Sequence, residues 1–177
     1  KFDQIKNFPE MAGKQIRAYF DFDTVANEKV KIKFALSPVS TTGAISNLRS
    51  EIPHWDFERT KRESQAEWNR ELGKIAVTTL DDGEMVNFYT ALYHTFLSPT
   101  VYMDVDGKYK GLDQNVHQNT TGPVQKPTRS KGVIPTNYTT FSLWDTYRAL
   151  HPLFNIIQPK RNRDMIRSMM AHYDQSV

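Results

Sequence analysis

Three side chains late in the chain have types and a spacing that suit carbohydrate binding. Trp144, Asp145 and Arg148 lie within five residues of one another. On a helix, Trp144 and Arg148 share a face because they are four residues apart, whereas Asp145 is rotated by about 100° from Trp144. An indole ring packs on the apolar C–H face of a sugar, and a carboxylate and a guanidinium bind its hydroxyl groups. The same pattern is typical of a partly buried Trp beside a helix-start Asp and a surface Arg, so spacing alone leaves both interpretations open.

The start of a helix must position these side chains. Ser142 is the predicted N-cap, whose hydroxyl accepts the backbone N–H of the residue three positions along. Asp145 then lies in the first turn, where a negative charge meets the positive end of the helix dipole. Asp145 is therefore either a cap partner or a site residue. Pro152 is predicted to bend or end this helix.

Composition restricts the class of protein. The chain has 177 residues, of which 38% are hydrophobic and 12% aromatic, enough for a packed core. The net charge is +3, and the 23 basic and 20 acidic residues are mixed along the sequence, so nucleic-acid binding is not indicated. Cysteine is absent, which excludes disulfides, thiolate metal sites and a thiol nucleophile. No apolar run approaches the ~18 residues of a membrane span.

The first half of the chain predicts two strands followed by helices. Apolar and polar residues alternate over residues 14–36, with a polar connection at 23–29, which indicates two antiparallel strands. A lone hairpin is marginal in water, so these strands require a partner sheet. Helices are predicted over residues 40–48 and 58–72, the second of them polar almost all round and ending at Gly73.

The second half predicts a more hydrophobic helix and a hairpin. Asp81 and Glu84 have capping-box spacing, and the apolar positions behind them repeat at three and four residues as far as Pro99. Residues 100–112 are predicted to form a hairpin closed by a type I′ turn at Asp106 and Gly107. A turn is favoured over a calcium loop there, because a third oxygen ligand before the glycine and a distal Glu are missing.

The remaining segments are a long loop and a final helix. Residues 115–135 are rich in Gly, Pro, Asn and Thr and predict a loop. Asn162 is predicted to cap a last helix with one apolar stripe, which consists of Met165, Ile166, Met169, Met170 and Tyr173.

Several sequence blocks, in order, resemble glycoside hydrolase family 92. The blocks are EIPHWDF (51–57), WN (68–69), FYTALYH (88–94), DVDGKYKG (104–111) and FSLWDTYRALHPL (141–153). Members of that family are exo-acting, calcium-dependent α-mannosidases. The resemblance covers nearly the whole chain, so it is a specific signal.

The resemblance implies a mixed fold within a longer protein. Residues 1–38 would be the end of an N-terminal β-sandwich, residues 39–80 a helical linker, and residues 81–177 the first helices of an (α/α)6 barrel catalytic domain. The chain would then be an internal fragment that contacts the missing parts of its own parent chain and is inactive alone.

The resemblance also implies a reaction and a set of partners. The parent would remove terminal α-linked mannose, of the α-1,2 type, from N-glycans or mannans by an inverting mechanism, in the periplasm or outside the cell. Its general acid, general base and Ca2+ ligands would lie further along the polypeptide, so no catalytic residue or metal ligand is expected in this chain.

Within the chain, the resemblance assigns sugar binding to the late segment. Trp144 and Asp145 would line the pocket for the terminal mannose, and Arg148 would orient Asp145 or line the pocket floor. Two alternatives remain open: a non-catalytic carbohydrate-binding or structural segment, and a glycosidase of another family that joins a sandwich to a helical barrel.

Overall fold

The computed structural model describes residues 13–119 and 134–176. Its elements, in chain order, are α1 (Thr41–Glu51), α2 (Phe57–Leu72), α3 (Asp82–Thr95), β1 (Thr100–Val101), β2 (Lys108–Lys110), β3 (Val116–Gln118), β4 (Tyr138–Thr139), α4 (Leu143–Thr146), α5 (Leu150–Ile157) and α6 (Pro159–Gln175). The chain divides into two units, Lys1–Ile32 and Lys33–Val177. None of the helices within the described ranges has the length and apolar character needed to cross a lipid bilayer.

The described part of the first unit consists of extended chain and a turn. Residues 16–32 form no strand ladder, and a single turn joins the Glu28 N–H to the Val25 carbonyl at 3.1 Å. Phe20 and Phe22 are exposed, as is Phe34 in the segment that follows. The predicted strand pair over residues 14–36 is therefore wrong. The alternating pattern supplies an apolar face, but a two-stranded ribbon whose apolar side chains stay in water has little to stabilise it.

Helix α1 is capped by Ser40 and is tied to a distant turn. The Ser40 hydroxyl accepts the Gly43 N–H at 3.0 Å. Asp104 is buried and accepts hydrogen bonds from Ser37 Oγ at 2.7 Å and Asn47 Nδ2 at 2.8 Å. A Cβ at residue 43 would lie 2.3 Å from Asp104 Oδ2. Glycine is therefore required there for the close approach of the carboxylate to α1.

Helix α2 is amphipathic along one edge. Asp56 caps it by accepting the Arg59 N–H at 3.0 Å. Trp68 packs against Tyr93 of α3 with 4.6 Å between ring centroids. The helix ends at Leu72 with Gly73 as its C-cap, which confirms the predicted end, and Gly73 has a right-handed φ of −68°.

Helix α3 forms as predicted, with a modified cap. Asp81 Oδ1 accepts the Gly83 N–H at 2.7 Å. Glu84 accepts from the Thr79 hydroxyl at 2.9 Å, and the Thr79 hydroxyl in turn accepts the Asp81 N–H, so the reciprocal capping box is replaced by a relay through Thr79. Leu92, on the apolar face of the helix, is buried.

The strands pair differently from the predicted hairpin. Strand β1 pairs with β4, with Thr100 opposite Thr139, and β2 pairs with β3, with Tyr109 opposite His117. The predicted hairpin over residues 100–112 is therefore wrong, because β1 and β2 each have another partner. Strand β3 lies at the start of the predicted loop of residues 115–135, of which residues 120–133 fall outside the described part.

The turn before β2 is not type I′. The Gly107 N–H bonds to the Asp104 carbonyl at 2.9 Å, so Val105 and Asp106 are the central residues of this turn. Gly107 has a φ of 89°, but Asp106 is not among the residues with positive φ, as a type I′ turn centred on Asp106 and Gly107 requires.

The core of the second unit lies between α5, α6 and β4. Tyr138, Phe154 and Met165 are buried at its centre. The partly buried residues packed against them are Phe96, Phe141, Leu150, Leu153 and Ile157. Of the predicted stripe on the last helix, Met165 is buried, whereas Ile166, Met170 and Tyr173 are exposed.

Two helix boundaries near the core differ from prediction. Pro152 lies in the first turn of α5, where a missing N–H costs nothing, so it does not end a helix. Helix α6 begins at Pro159, and Asn162 is a buried residue inside it rather than its cap. Asn162 bonds to His151 Nδ1 and to Asn155 Oδ1, both at 2.7 Å, which explains its burial.

Candidate functional site

Helix α4 is a single turn anchored to the core at both ends. Before it, Tyr138 is buried in β4, and Phe141 packs edge-on against the ring of His172 at 5.6 Å. After it, residues 147–149 form turns, and Leu150 of α5 packs on the core. The sequence predicted one helix running on towards Pro152, and the structure divides it into α4 and α5. The four residues of α4 are thereby held at the surface by buried neighbours.

The Ser142 hydroxyl binds the Asp145 carboxylate instead of capping the backbone. Ser142 Oγ donates to Asp145 Oδ2. The Asp145 N–H donates to the Ser142 carbonyl at 3.1 Å. The predicted side-chain cap is therefore wrong, because the backbone carbonyl takes the N–H and a carboxylate is the stronger acceptor for the hydroxyl. Asp145 Oδ1 has no hydrogen-bond partner within the described ranges, so it is open to a ligand hydroxyl.

Arg148 lies near Trp144 as predicted, although α4 ends at Thr146 and Arg148 is in the turn that follows, so the two do not share one helix. The ring of Trp144 is 76% exposed. The guanidinium carbon of Arg148 lies 5.8 Å from the Trp144 centroid and 5.5 Å from the Tyr147 centroid, which are cation–π distances. No ion pair joins Arg148 to Asp145 in the part of the chain that the structure describes. Arg148 is therefore directed at the two rings and not at the carboxylate.

Tyr147 is the residue of this site that sequence reasoning missed. It is 57% exposed and contacts the same guanidinium as Trp144. Its position three residues after Trp144 was the available signal, because residues three apart on a helix are neighbours. Residues 144–148 thus present two aromatic rings, a guanidinium at cation–π distance from both and a partly open carboxylate, which are kinds of groups that can bind a sugar.

A second polar cluster surrounds Glu71 at the end of α2. Its carboxylate receives hydrogen bonds from Gln158 and, at 2.7 Å, from Lys74, and Arg161 lies 3.2 Å away. Burial alone would raise the pKa of Glu71, but these bonds and the positive charges outweigh it and lower the pKa to about 2. The cluster borders a cavity of about 700 Å³ whose lining includes none of Trp144, Asp145 and Arg148.

The acidic side chains of the described residues are not arranged as a calcium site. Within residues 13–119 and 134–176, no three His, Cys, Asp or Glu side chains form a group that could hold a metal ion. Asp104, the buried carboxylate of the DVDG segment, accepts hydrogen bonds from Ser37 and Asn47. Asp106 forms an ion pair with Lys108. The described side chains thus do not fit a calcium ion.

Comparison with protein families defines the class. Residues 43–177 match the model described as "Glycosyl hydrolase family 92 catalytic domain". The match covers most of the chain and identifies the class of protein as a glycoside hydrolase. Within that class, the chain belongs to glycoside hydrolase family 92.

Solved structures of the same family are similar to the chain. The family GH92 α-mannosidase BT3965 from Bacteroides thetaiotaomicron is 42% identical, with a TM-score of 0.69 over 80% of this chain. The same enzyme is also known in complex with mannoimidazole. The GH92 family glycosyl hydrolase ccman5 is 28% identical, with a TM-score of 0.65 over 79% of this chain. The chain spans 17% of the length of each of these proteins. No curated protein sequence gives a significant match.

Proposed function

We propose that the protein containing this chain is an exo-acting α-mannosidase. It removes terminal α-1,2-linked mannose from N-glycans or mannans, outside the cell or in the periplasm. The observation that carries the proposal is the family match over residues 43–177 together with 42% identity to an α-mannosidase. The α-1,2 linkage, the location and the calcium dependence rest on the family resemblance alone.

In this proposal, α4 provides part of the pocket for the terminal mannose. The exposed Trp144 ring packs on the C–H face of the sugar, and Asp145 Oδ1 accepts a hydroxyl proton. Ser142 holds the other carboxylate oxygen and so fixes the direction of Oδ1. Arg148 keeps the Trp144 ring in place through its cation–π contact and is a positioning residue.

The proposed mechanism is inversion at the anomeric carbon. An inverting glycosidase needs one carboxylic acid to protonate the leaving oxygen and one carboxylate to activate water, roughly 6.5–9.5 Å apart. We assign both groups, and the Ca2+ ligands, to other parts of the parent protein. The contribution of this chain is therefore to bind and orient the sugar.

The proposed domain organisation follows the same reasoning. Residues 1–38 belong to a β-sandwich, residues 39–80 to a linker and residues 81–177 to an (α/α)6 barrel. Large apolar side chains on α5 and α6 are exposed, including Ile156 and Met170, and support burial against further helices of the parent. Phe20 and Phe22 likewise support a partner sheet.

Mannose release by the full-length protein tests this function. We expect release from α-1,2-mannobiose, and we expect a chelator to abolish it and Ca2+ to restore it. Asp145→Ala should lower kcat/KM about 100-fold, or about 2.7 kcal/mol, because a directed hydrogen bond to the sugar is lost.

The matched control is Asp174→Ala, an exposed aspartate on α6, which should leave kcat/KM unchanged. Equal activity of the Asp145→Ala and wild-type proteins would reject the role of α4. No mannose release from any α-linked mannobiose by the wild-type protein would reject the α-mannosidase assignment itself.

A further inference from the structure

Helix α6 holds the chain on both sides of residues 142–148, the segment proposed to bind the sugar. Before this segment, the Ser168 hydroxyl of α6 accepts the Tyr138 N–H of β4 at 2.9 Å. After it, Asn162 of α6 bonds to His151 of α5. Both α6 residues are buried, Ser168 with 3% and Asn162 with 1% of its surface exposed. The buried face of α6 therefore fixes where the segment enters and leaves the surface.

The exit from this segment has no local cap. Residues 147–149 form turns, and α5 begins at Leu150 after Ala149, where no side chain caps the helix. The first N–H groups of a helix have no partner within the helix, and the lack of a capping side chain typically costs about 1 kcal/mol. The start of α5 therefore depends on contacts with another element.

Asn162 makes such a contact with the first turn of α5. Its Oδ1 lies 2.7 Å from His151 Nδ1, and its Nδ2 donates to the His151 carbonyl at 3.4 Å. The bond to the imidazole persists in either orientation of the amide, because Oδ1 accepts from a protonated Nδ1 and Nδ2 donates to an unprotonated one. Among the described residues, Nε2 of the same ring has no hydrogen-bond partner, so Asn162 is the group that orients the ring.

The residue that Asn162 binds lies one turn after Arg148. His151 follows Arg148 by three residues, so a shift of the start of α5 also moves the turn that presents the guanidinium. The guanidinium carbon lies 5.8 Å from the Trp144 centroid and 5.5 Å from the Tyr147 centroid. A cation–π contact requires the cation within about 6 Å of the ring centroid, so these contacts leave little room for a shift.

We propose that Asn162, acting through His151, is a positioning residue for Arg148 and thereby for the Trp144 ring. The inference rests on the sugar-binding role proposed for residues 144–148 and adds the group that holds them in place. Asn162 does not contact substrate in this role. Its replacement loosens the contact between Arg148 and Trp144 and weakens sugar binding, while the reacting groups are unaffected.

A double-mutant cycle in the full-length protein tests the proposal. The variants are Asn162→Ala, Arg148→Met and the two combined. Because Asn162 acts through Arg148, we expect each single variant to raise KM for α-1,2-mannobiose about two- to fivefold at unchanged kcat. The double variant should have the KM of Arg148→Met alone, whereas two residues that act independently would multiply their effects.

Quenching of Trp144 fluorescence by acrylamide gives the same cycle without a substrate. The Trp144 signal is the difference between each protein and its Trp144→Phe version, which removes the contribution of every other tryptophan. Loss of the guanidinium contact uncovers one face of the ring, so quenching should increase in both single variants and no further in the double variant. Absence of mannose release by the wild-type protein would reject the α-mannosidase assignment, and the quenching cycle would still decide the role of Asn162.

Three further variants separate positioning from general stability. His151→Asn keeps an amide within reach of Asn162 and should behave as wild type. His151→Ala removes the same bond from the less buried partner, and it replaces Asn162→Ala if circular dichroism shows that variant to be unfolded. The matched control is Asn47→Ala, a buried asparagine of α1 that bonds to Asp104, which should lower stability and leave KM and quenching unchanged.

Two results would overturn the proposal. The first is wild-type KM and quenching in folded Asn162→Ala and His151→Ala, or effects that multiply with that of Arg148→Met. The second is an increase of KM and quenching in Asn47→Ala equal to that in Asn162→Ala, because the effect would then come from loss of stability alone.

Discussion

Two carboxylates of the second unit, Glu71 and Asp145, have opposite surroundings. Glu71 is 8% exposed, and its oxygens are occupied by Lys74, Gln158 and Arg161. Asp145 is exposed, and Ser142 occupies one of its oxygens. Glu71 therefore uses its hydrogen-bonding capacity within the fold, whereas Asp145 keeps one oxygen available for a ligand.

The arginines near these two carboxylates differ in the same way. Arg161 lies 3.2 Å from Glu71 and neutralises it, so it serves the junction between α2 and α6. Arg148 lies over the rings of Trp144 and Tyr147 and leaves Asp145 unpaired. A charge that is already compensated holds helices together, whereas an uncompensated one beside an exposed ring is available for substrate.

Replacement of Glu71 should have the largest effect on stability. Glu71→Ala leaves Lys74 and Arg161 without their shared anion, which should reduce the free energy of unfolding by about 3–5 kcal/mol. Urea denaturation of the full-length protein measures the loss. The control is Glu67→Ala on the same helix, where an exposed ion pair with Arg70 is worth less than about 1 kcal/mol. Equal losses in the two variants would remove the distinction between the sites.

Acid should weaken the Glu71 junction within a defined pH range. The pKa of Glu71 is about 2 in the folded protein, below the usual value of 4.5. Because the folded pKa is depressed, the stabilisation is complete above about pH 4.5 and is lost as the pH falls towards 2, in total about 3 kcal/mol. We expect Glu71→Gln to flatten this part of the stability profile, measured by urea midpoints between pH 5 and 3. An unchanged profile would contradict the assignment.

Replacement of Trp144 should affect activity and spare stability. Trp144→Ala should lower kcat/KM about tenfold, or about 1.4 kcal/mol, because it removes the ring that we propose packs on the sugar. The melting temperature should stay constant, since the side chain is 76% exposed. Tyr173→Ala is a matched control, because Tyr173 is 73% exposed on α6. A melting temperature that falls with Trp144→Ala while kcat/KM is unchanged would make Trp144 a packing residue.

Arg148 should show the smallest effect. Arg148→Met removes a cation–π contact worth about 0.5–1 kcal/mol at an exposed site, so KM should rise roughly two- to fivefold while kcat is unchanged. Arg148→Lys retains a cation and should recover part of the loss. A fall in kcat with both variants would instead indicate that Arg148 contacts the reacting groups.

The helices of the first half could be predicted from local sequence. Ser40 and Asp81 are caps that act over two or three residues, and the apolar spacing of α3 is regular. The strand partners could not be predicted in this way. Thr100 pairs with Thr139 across a long sequence separation, and neither two-residue strand has a pattern of its own. Residues 14–36 show the opposite case. Their alternation of apolar and polar residues predicts strands, but the segment forms no strand ladder.

The sequence predicted that Trp144 and Arg148 lie close together, but it did not predict the hydrogen bond between Ser142 and Asp145. Spacing on a continuous helix predicts that Trp144 and Arg148 lie together, and they lie within cation–π distance even though α4 ends at Thr146 and Arg148 is in the following turn. Spacing does not decide whether the Ser142 hydroxyl accepts from the backbone or donates to Asp145, because both partners lie within reach.

A structure of the full-length protein with mannoimidazole bound would test the central claim most directly. The ligand is suitable because it binds a 42% identical α-mannosidase. We predict a hydrogen bond of about 2.7 Å between Asp145 Oδ1 and a ligand hydroxyl, with the Trp144 ring against the sugar and Arg148 still over that ring. A ligand bound with Asp145 and Trp144 both out of contact would contradict the assignment of α4 to the sugar pocket.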